Sequence, residues 1–250
     1  TVRTLVTIQV LNKDLAFQDI GGGQQADFHI NGALYRIDNR RMPGFDQDVT
    51  LQMTSREYKE LLDQPSLFQK TVYLEPGKYK LHLTIQDKHS PNIGIQDPLF
   101  EVPRIPEQVL QTSSMILAYS VTDLPKSMVG NEPFALGDKK VKPNVSGVFR
   151  RDQSLNIWQE IYGLTVEQAS HKPSATIEML ITQNKQEVKK TVSTSEELAG
   201  SGQQMKYTNS VPLTDFAPGQ YEVQVKVTDN LTNESIVTPK KFTVAAVPVK

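Results

Sequence analysis

One strand-and-turn segment occurs twice in this 250-residue chain, and it constrains the fold more than any other feature of the sequence. The first copy covers residues 74–87 and the second covers residues 216–229. Pro218 follows Pro76 by 142 residues, and neither copy contains a gap. A shorter match, Phe-x-Val, recurs downstream of both copies at the same spacing. Internal repetition over about 30 residues indicates two domains of one architecture.

Each copy has the composition of a tight turn followed by a buried strand. Proline presets φ for the turn, and the glycine after it supplies the positive φ that the turn requires. The tyrosine two residues later begins a run of alternating apolar residues, which an aspartate ends. In immunoglobulin-like sandwiches a tyrosine at such a corner packs inward and bonds through its hydroxyl to nearby backbone. We therefore predict structural roles for eight residues: Pro76, Gly77, Tyr79, Asp87, Pro218, Gly219, Tyr221 and Asp229.

Most of the remaining chain also alternates apolar and polar residues between turns rich in Gly, Pro, Asn and Asp, which predicts strands. Thr54 and Glu57 have the spacing of a capping box, so one short helix is expected before Pro65. The sequence predicts an all-β chain of two tandem immunoglobulin- or fibronectin-III-like β-sandwich domains, with that helix in the first. The boundary is expected in a proline-flanked linker, giving domains of residues 1–104 and 105–250.

Three local features are also expected. The long strand that includes residues 28–37 should bend at Gly32. In the second domain, residues 125–142 are expected to form an extended connection with one short strand near residues 134–136. Residues 196–204, which are rich in Gly, Ser and Glu, are expected to form an exposed loop.

Composition excludes several classes of function. A formal net charge of −1 provides no field that would attract nucleic acid or an anionic membrane surface. The absence of cysteine excludes disulfides, thiolate metal sites and cysteine nucleophiles. No apolar run reaches the roughly 20 residues that a membrane-spanning helix needs. The chain opens on Thr1 without a signal pattern, so we expect it to be a piece of a longer protein.

A further set of residues carries a family resemblance. Residues 140–151, KVKPNVSGVFRR, are followed by LNIWQEIY at 155–162 and by the repeated turn and strand at 218–229. This pattern resembles the β-sandwich tail of bacterial, chiefly acidobacterial, GWxTD-domain and von Willebrand A-related proteins. The first domain is similar through Leu15-Ala16-Phe17 and residues 74–87, although the GWxTD motif and the von Willebrand A metal-adhesion motif are absent. The resemblance implies a secreted or periplasmic, cell-envelope location and an accessory role, and it supplies no catalytic residues.

No arrangement of residues in the sequence points to catalysis. Asp46 and Asp48 are close in sequence, but we expect them in a turn before a strand and not across a cleft, as a glycosidase would need. The four histidines have neither mutual i+2 or i+4 spacing nor an HExxH pattern: His29, His82, His89 and His171. We therefore expect no enzyme activity, no cofactor and no metal site.

Among metals, calcium is the one that the sequence excludes least firmly. The loop at residues 229–234, which begins with Asp229, offers the hard oxygen ligands that calcium takes. The same composition is ordinary hairpin-turn chemistry, because Asn and Asp bond to nearby backbone and tolerate left-handed conformations. The hairpin interpretation is favoured.

Trp158, the single tryptophan, is the best candidate for a binding residue. Leu155, Ile157 and Ile161 share one face of its strand, so Trp158 and Tyr162 are expected on the other face. If they are exposed, the two aromatics could stack on sugar rings or anchor a protein partner. Alternatively, Trp158 lies in the core or packs against the other domain.

We expect a non-catalytic interaction or spacer module of an exported bacterial protein. Its partners would be other domains of a longer parent chain or another envelope protein, with no nucleic acid and no direct membrane span. The alternative is a carbohydrate-binding module that uses Trp158 and Tyr162 as exposed aromatics.

Overall fold

The computed structural model describes residues 1–104, 106, 108–125, 127 and 133–246, with the side chains of 199–201 excepted. The chain divides into two compact units, Thr1–Arg104 and Ile105–Lys250, which we call domain 1 and domain 2. The division falls in the predicted linker. The architecture is all-β, as predicted, and each domain is a β-sandwich of two sheets.

Domain 1 contains eight strands and one α-helix within its described residues. The strands are β1 (Val2–Leu11), β2 (Gln18–Asp19), β3 (Gly23–Arg36), β4 (Arg41–Thr54), β5 (Pro65–Leu74), β6 (Gly77–Asp87), β7 (Ile93–Gln96) and β8 (Leu99–Val102). A 3-10 turn at Asn12–Asp14 follows β1. The helix α1 (Ser55–Leu61) begins with the predicted capping box, in which Thr54 and Glu57 each bond to the other's backbone N–H.

The strands of domain 1 form a small sheet and a large sheet. The small sheet pairs β1 with β5, and the large sheet places β4 beside β3, β3 beside β6, and β6 beside β7 and β8, with the short β2 against the start of β3. Ile8 and Val10 of β1 pack against Phe28 and Ile30 of β3 in the core between the sheets. The register of β3 on β4 shifts after Gly32, with one extra residue in β4, and the bend expected in β3 itself stays a prediction.

Domain 2 contains twelve strands within its described residues. They are β9 (Gln111–Thr112), β10 (Ile116–Asp123), β11 (Ala135–Leu136), β12 (Lys139–Pro143), β13 (Val148–Arg150), β14 (Ser154–Tyr162), β15 (Ala175–Gln183), β16 (Gln186–Thr194), β17 (Ala199–Ser201), β18 (Gln204–Pro212), β19 (Gly219–Asp229) and β20 (Ser235–Ala245). A seven-stranded sheet has the order β11-β12-β10-β14-β18-β17, with β9 also on β14. A five-stranded sheet has the order β13-β20-β19-β15-β16, and β13 runs parallel to β20. The core between these sheets is one cluster of 23 buried apolar residues.

Two expectations for domain 2 are corrected. The extended connection at residues 125–142 includes most of β12, which pairs with β10. The predicted loop at residues 196–204 contains a 3-10 turn, Ser195–Glu197, and the strand β17, which forms a tight hairpin with β18. Neither strand has an apolar alternation strong enough to predict it, and the pairing itself uses backbone groups that every residue carries.

The repeated Pro-Gly pairs form the turns before β6 and β19. Gly77 has a φ of 157° and Gly219 has a φ of 151°. These values lie in a region that side chains with a Cβ rarely adopt, so glycine is required at both positions.

A tyrosine corner follows each of these turns. The hydroxyl of Tyr79 donates to the carbonyl of Glu75 at 2.8 Å, and the hydroxyl of Tyr221 donates to the carbonyl of Ala217 at 2.7 Å. Each ring also stacks on a phenylalanine of a paired strand, Phe100 of β8 and Phe242 of β20, with ring centroids 5.7 and 5.3 Å apart. These contacts give both tyrosines a structural role.

The aspartate that ends each repeat joins two segments of backbone. Asp87 accepts the N–H of Ala16 at 2.7 Å and that of His89 at 2.7 Å. Asp229 accepts the N–H of Thr165 at 2.7 Å and that of Leu231 at 2.9 Å. We call each set of contacts an aspartate latch. The two carboxylates are 4 % and 2 % exposed, so the latches are internal to their domains.

Candidate functional site

The face of the large sheet of domain 1 that points away from the core carries most of the ionisable side chains of its strands. We call it the outer face. Strand alternation places on it Asp46, Asp48 and Thr50 of β4, Asp27, His29 and Asn31 of β3, His82, Thr84 and Gln86 of β6, Ile93 and Ile95 of β7, and Leu99 of β8. The side chains opposite these residues on the same strands form the core, so sheet geometry alone presents the set to solvent.

His29 lies between two carboxylates at the centre of this face. Its Nδ1 is 2.8 Å from Asp48 Oδ1, and its Nε2 is 2.7 Å from Asp46 Oδ1. Asn31 donates to the same oxygen of Asp46 at 2.8 Å, and Lys88 Nζ lies 2.8 Å from Asp48. Only the imidazolium form of histidine can donate from both ring nitrogens, so this geometry fits a protonated His29.

The charges of this cluster stabilise one another. The hydrogen bonds that His29 donates to Asp48 and then to Asp46 raise the pKa of His29 above its ordinary value. Lys88 and then His29 lower the pKa of Asp48, and Asn31 and then His29 lower the pKa of Asp46. The result is a pre-ordered group of paired charges on an open sheet surface.

Two more histidines on this side of domain 1 also pair with aspartates. His89 Nε2 lies 3.0 Å from Asp27, which also accepts the hydroxyl of Thr50. The Thr50 hydroxyl, His89 and a glutamine hold the pKa of Asp27 well below its usual range. His82 Nδ1 lies 2.8 Å from Asp97, and this contact lowers the pKa of that carboxyl.

The position expected for Asp46 and Asp48 is wrong, because both lie inside β4 and not in a turn before it. The turn of this hairpin is at Asp38 and Asn39, and β4 pairs with β3 nearly symmetrically about it. That symmetry sets His29 opposite Asp48. The position of this turn fixes which residues of β3 and β4 lie opposite each other, so the cluster could have been predicted from the turn. The spacing of the histidines along the chain does not show which residues they face.

An apolar strip borders the charged part of the outer face. Ile93, Ile95 and Leu99 are 55 %, 55 % and 69 % exposed. Cross-strand pairing sets Ile93 beside Gln86 and Ile95 beside Thr84, both of which point outward. Three large aliphatic side chains therefore stand in solvent at one edge of a polar face.

Trp158, in contrast, is buried at 3 % exposure, so the exposed position that the carbohydrate-binding alternative requires is not found. The face assignment itself holds, since Leu155, Ile157 and Ile161 belong to the inter-sheet core and Trp158 does not. Tyr162 is partly buried, and its hydroxyl donates to Glu160. Burial and this carboxylate raise the pKa of Tyr162.

The turn of the β11–β12 hairpin reaches the sheet face that holds Trp158. Lys206 of β18 lies opposite Glu160, on the same face as Trp158, and its ammonium bonds to Asp138 in the hairpin turn at 2.7 Å. In the sheet, β12 of this hairpin pairs with β10, and β14 lies between β10 and β18. The indole of Trp158 is buried on this face. This removes the aromatic platform on which the carbohydrate-binding alternative depended.

The loop after Asp229 shows hairpin-turn chemistry. Both carboxylate oxygens of Asp229 accept backbone N–H groups, and Asn233 adopts a positive φ of 61°. Within the described residues, no group of three or more His, Cys, Asp or Glu side chains is placed to hold a metal ion. None of the helices in the described part of the chain is long and apolar enough to cross a membrane.

Comparisons with known proteins identify no family for this chain. No family model matches it, and no curated protein matches it in sequence. Solved structures that resemble it include red sea bream transglutaminase (10 % identity, TM-score 0.27, 99 % of this chain and 29 % of that one) and β-glucuronidase 2 of Bacteroides uniformis (10 %, 0.32, 97 % and 26 %). A third is the major pilin SpaD of Corynebacterium diphtheriae (10 %, 0.26, 92 % and 62 %). The chain thus spans less than two thirds of the length of each.

Proposed function

We propose that the chain is a non-catalytic interaction module of an exported bacterial protein, and that it binds a protein partner through the outer face of domain 1. The observation that carries the proposal is the exposed strip of Ile93, Ile95 and Leu99. Large exposed apolar side chains beside polar groups are typical of protein-binding surfaces. The partner would be another domain of the parent chain or a second envelope protein.

The charged part of the outer face supports the same proposal. His29, Asp46 and Asp48 are held in one arrangement by mutual hydrogen bonds, so a partner would order few side chains on binding. Pre-ordering of this kind reduces the entropic cost of association. The paired charges would then set the orientation of the partner more than the affinity.

The proposal is tested by affinity capture from an envelope extract of the source organism with three baits. These are the unaltered chain, the double variant Ile93→Ser/Ile95→Ser, and a control in which Val188 and Val192 of β16 are changed to Ser. Val188 and Val192 are also exposed, at 43 % and 56 %, but lie in domain 2. We expect a protein that the first and third baits retain and the second loses at least tenfold, followed by direct binding of the purified partner. Equal capture by all three baits would contradict the proposal.

A further inference from the structure

The small sheet of domain 1 has two strands, and one edge of β1 has no partner among the described strands. β1 pairs with β5 over ten residue pairs, and no other described strand pairs with it. Within the described residues, the edge of β1 that faces away from β5 is therefore an open row of backbone donors and acceptors. Such edges are templates for a further strand.

β1 lacks the devices that protect exposed edges. Its sequence, VRTLVTIQVL, contains no proline, no glycine and one charged residue, and its register on β5 has no bulge. Proteins normally keep their edge strands short, or protect them from pairing with other chains by charged residues, proline or bulges. A regular ten-residue edge without these devices indicates a strand that is built to be paired.

Other long edge strands in the described residues carry such devices. β4 contains Pro43, several charges and a shifted register beside Gly32. β5 begins with Pro65 and carries Lys70. β16 carries Lys189 and Lys190 and pairs with β15 through a register shift. The contrast sets β1 apart within the same molecule.

Domain 2 shows what occupies the corresponding edge. The aspartate latches align Ala16 with Thr165, and the same alignment sets Ile8 of β1 beside Ile157 of β14, both buried. β14 is paired on both edges, by β18 on one side and by β9 and β10 on the other. β10 inserts Leu117 opposite Ile157 and into the core.

Domain 1, the smaller domain, has fewer fully buried apolar residues. Its core consists of two clusters of six buried apolar residues, against the single cluster of 23 in domain 2. Phe100 is only partly buried, whereas its repeat partner Phe242 is 3 % exposed. In domain 2, β13 pairs with β20 and brings Phe149 against Phe242, with ring centroids 6.1 Å apart. Domain 1 has no described counterpart of β10 or of β13.

We propose that the open edge of β1 is a strand-acceptor site for an extended segment of another polypeptide. The segment runs antiparallel to β1, as β10 does on β14, and points alternate apolar residues into the core. The C-terminal end of the segment lies near Arg3, which is exposed and forms no ion pair with any described residue. An acidic residue at that end of the segment forms an ion pair with Arg3. The site is on the opposite sheet from the outer face and is independent of the function proposed above.

The test uses a fluorescent peptide with the sequence of residues 114–123, SMILAYSVTD, which contains β10 and ends in an acidic residue. We expect it to bind the 250-residue chain, to protect the amides of β1 from hydrogen exchange, and to bind at least fivefold more weakly when its final Asp is replaced by Lys. A scrambled peptide should not bind. Protection confined to domain 2 would overturn the proposal, because the peptide would then only replace the chain's own β10.

Lysine substitutions separate edge pairing from general adhesion. Leu5 and Thr7 point away from the core on β1, and their cross-strand partners on β5 are Thr71 and Gln69. The variant Leu5→Lys/Thr7→Lys should lose peptide binding at least tenfold, whereas Thr71→Lys/Gln69→Lys and Ile93→Ser/Ile95→Ser should retain it. Equal loss in the β5 variant would refute the assignment to the β1 edge. Sedimentation showing a dimer that only the β1 variant dissociates would assign the edge to a second copy and also overturn the proposal.

Discussion

Replacing Asp229 with Asn should destabilise domain 2 substantially. Asp229 Oδ2 accepts the N–H of Thr165 at 2.7 Å and Oδ1 accepts that of Leu231 at 2.9 Å, in a site that is 2 % exposed. An asparagine keeps one acceptor oxygen, but its amide group must face the other N–H. One hydrogen bond to a charged group is lost and one buried donor is left without a partner.

The cost can be worked from these contacts. A hydrogen bond to a charged group contributes about 1.5–3 kcal/mol, and an unsatisfied buried donor adds a cost of about 1–3 kcal/mol. Allowing for relaxation of the loop, we expect a loss of about 3 kcal/mol in the free energy of unfolding. With a urea dependence of about 2 kcal/mol/M, the midpoint falls by about 1.5 M.

Trp158 makes the assay specific for domain 2. It is the single tryptophan of the chain and is buried, so its fluorescence in urea reports the unfolding of domain 2 alone. The control is Asp215→Asn, because Asp215 lies on the surface of the same domain. A midpoint shift below about 0.3 M for Asp229→Asn, or one equal to that of the control, would refute the latch as a stabilising contact.

The effect of Asp229 should also depend on pH. Burial alone would raise the pKa of this carboxyl, but the N–H groups of Thr165 and Leu231 outweigh burial and lower it. A lowered pKa means that the group stabilises the fold above its unfolded pKa of about 3.9, and that this contribution is lost as pH falls through the folded value. The difference between wild type and variant should therefore be full at pH 7 and shrink in acid. A difference that is constant with pH would contradict this reasoning.

Three further outcomes are expected. Tyr221→Phe should cost about 1–2 kcal/mol by the tryptophan signal, because the carbonyl of Ala217 loses its donor, while Tyr79→Phe should leave that transition in place and shift a separate one seen by circular dichroism. The raised pKa of His29 means that its contribution to the stability of domain 1 is full below about pH 6.5 and is lost as pH rises through its pKa in the folded protein. His29→Gln should therefore remove this pH dependence from thermal melts of domain 1 between pH 5 and 9. Thr54→Ala should destabilise α1 by about 1 kcal/mol, measured as faster hydrogen exchange of its amides.

Local chemistry made the corners, the helix cap and the domain division predictable from sequence. Pro76 with Gly77 specifies a turn wherever it occurs, and Thr54 with Glu57 specifies a helix start, because each acts through its own backbone. Because the segment with this turn is repeated, the same turn and corner could be predicted for domain 2.

The site residues were harder to predict because they depend on contacts between distant segments. The pairing of His29 with Asp48 follows from the register of a hairpin, which the histidine spacing does not reveal. The alternation of β14 predicted correctly which face holds Trp158. It could not predict that the turn of a hairpin from elsewhere in domain 2 reaches that face.

The aspartate latches have a consequence for how these domains can change in evolution. Asp87 and Asp229 hold Ala16 and Thr165, two unlike residues, by the main-chain amide that both possess, and Asp229 also bonds to the side chain of Thr165. Any amino acid except proline supplies that amide, so the segment that is held can drift in sequence while the latch stays closed. The side chains of the held segment are therefore available for selection to reshape the surface, except that in domain 2 replacing Thr165 also removes its side-chain bond to Asp229.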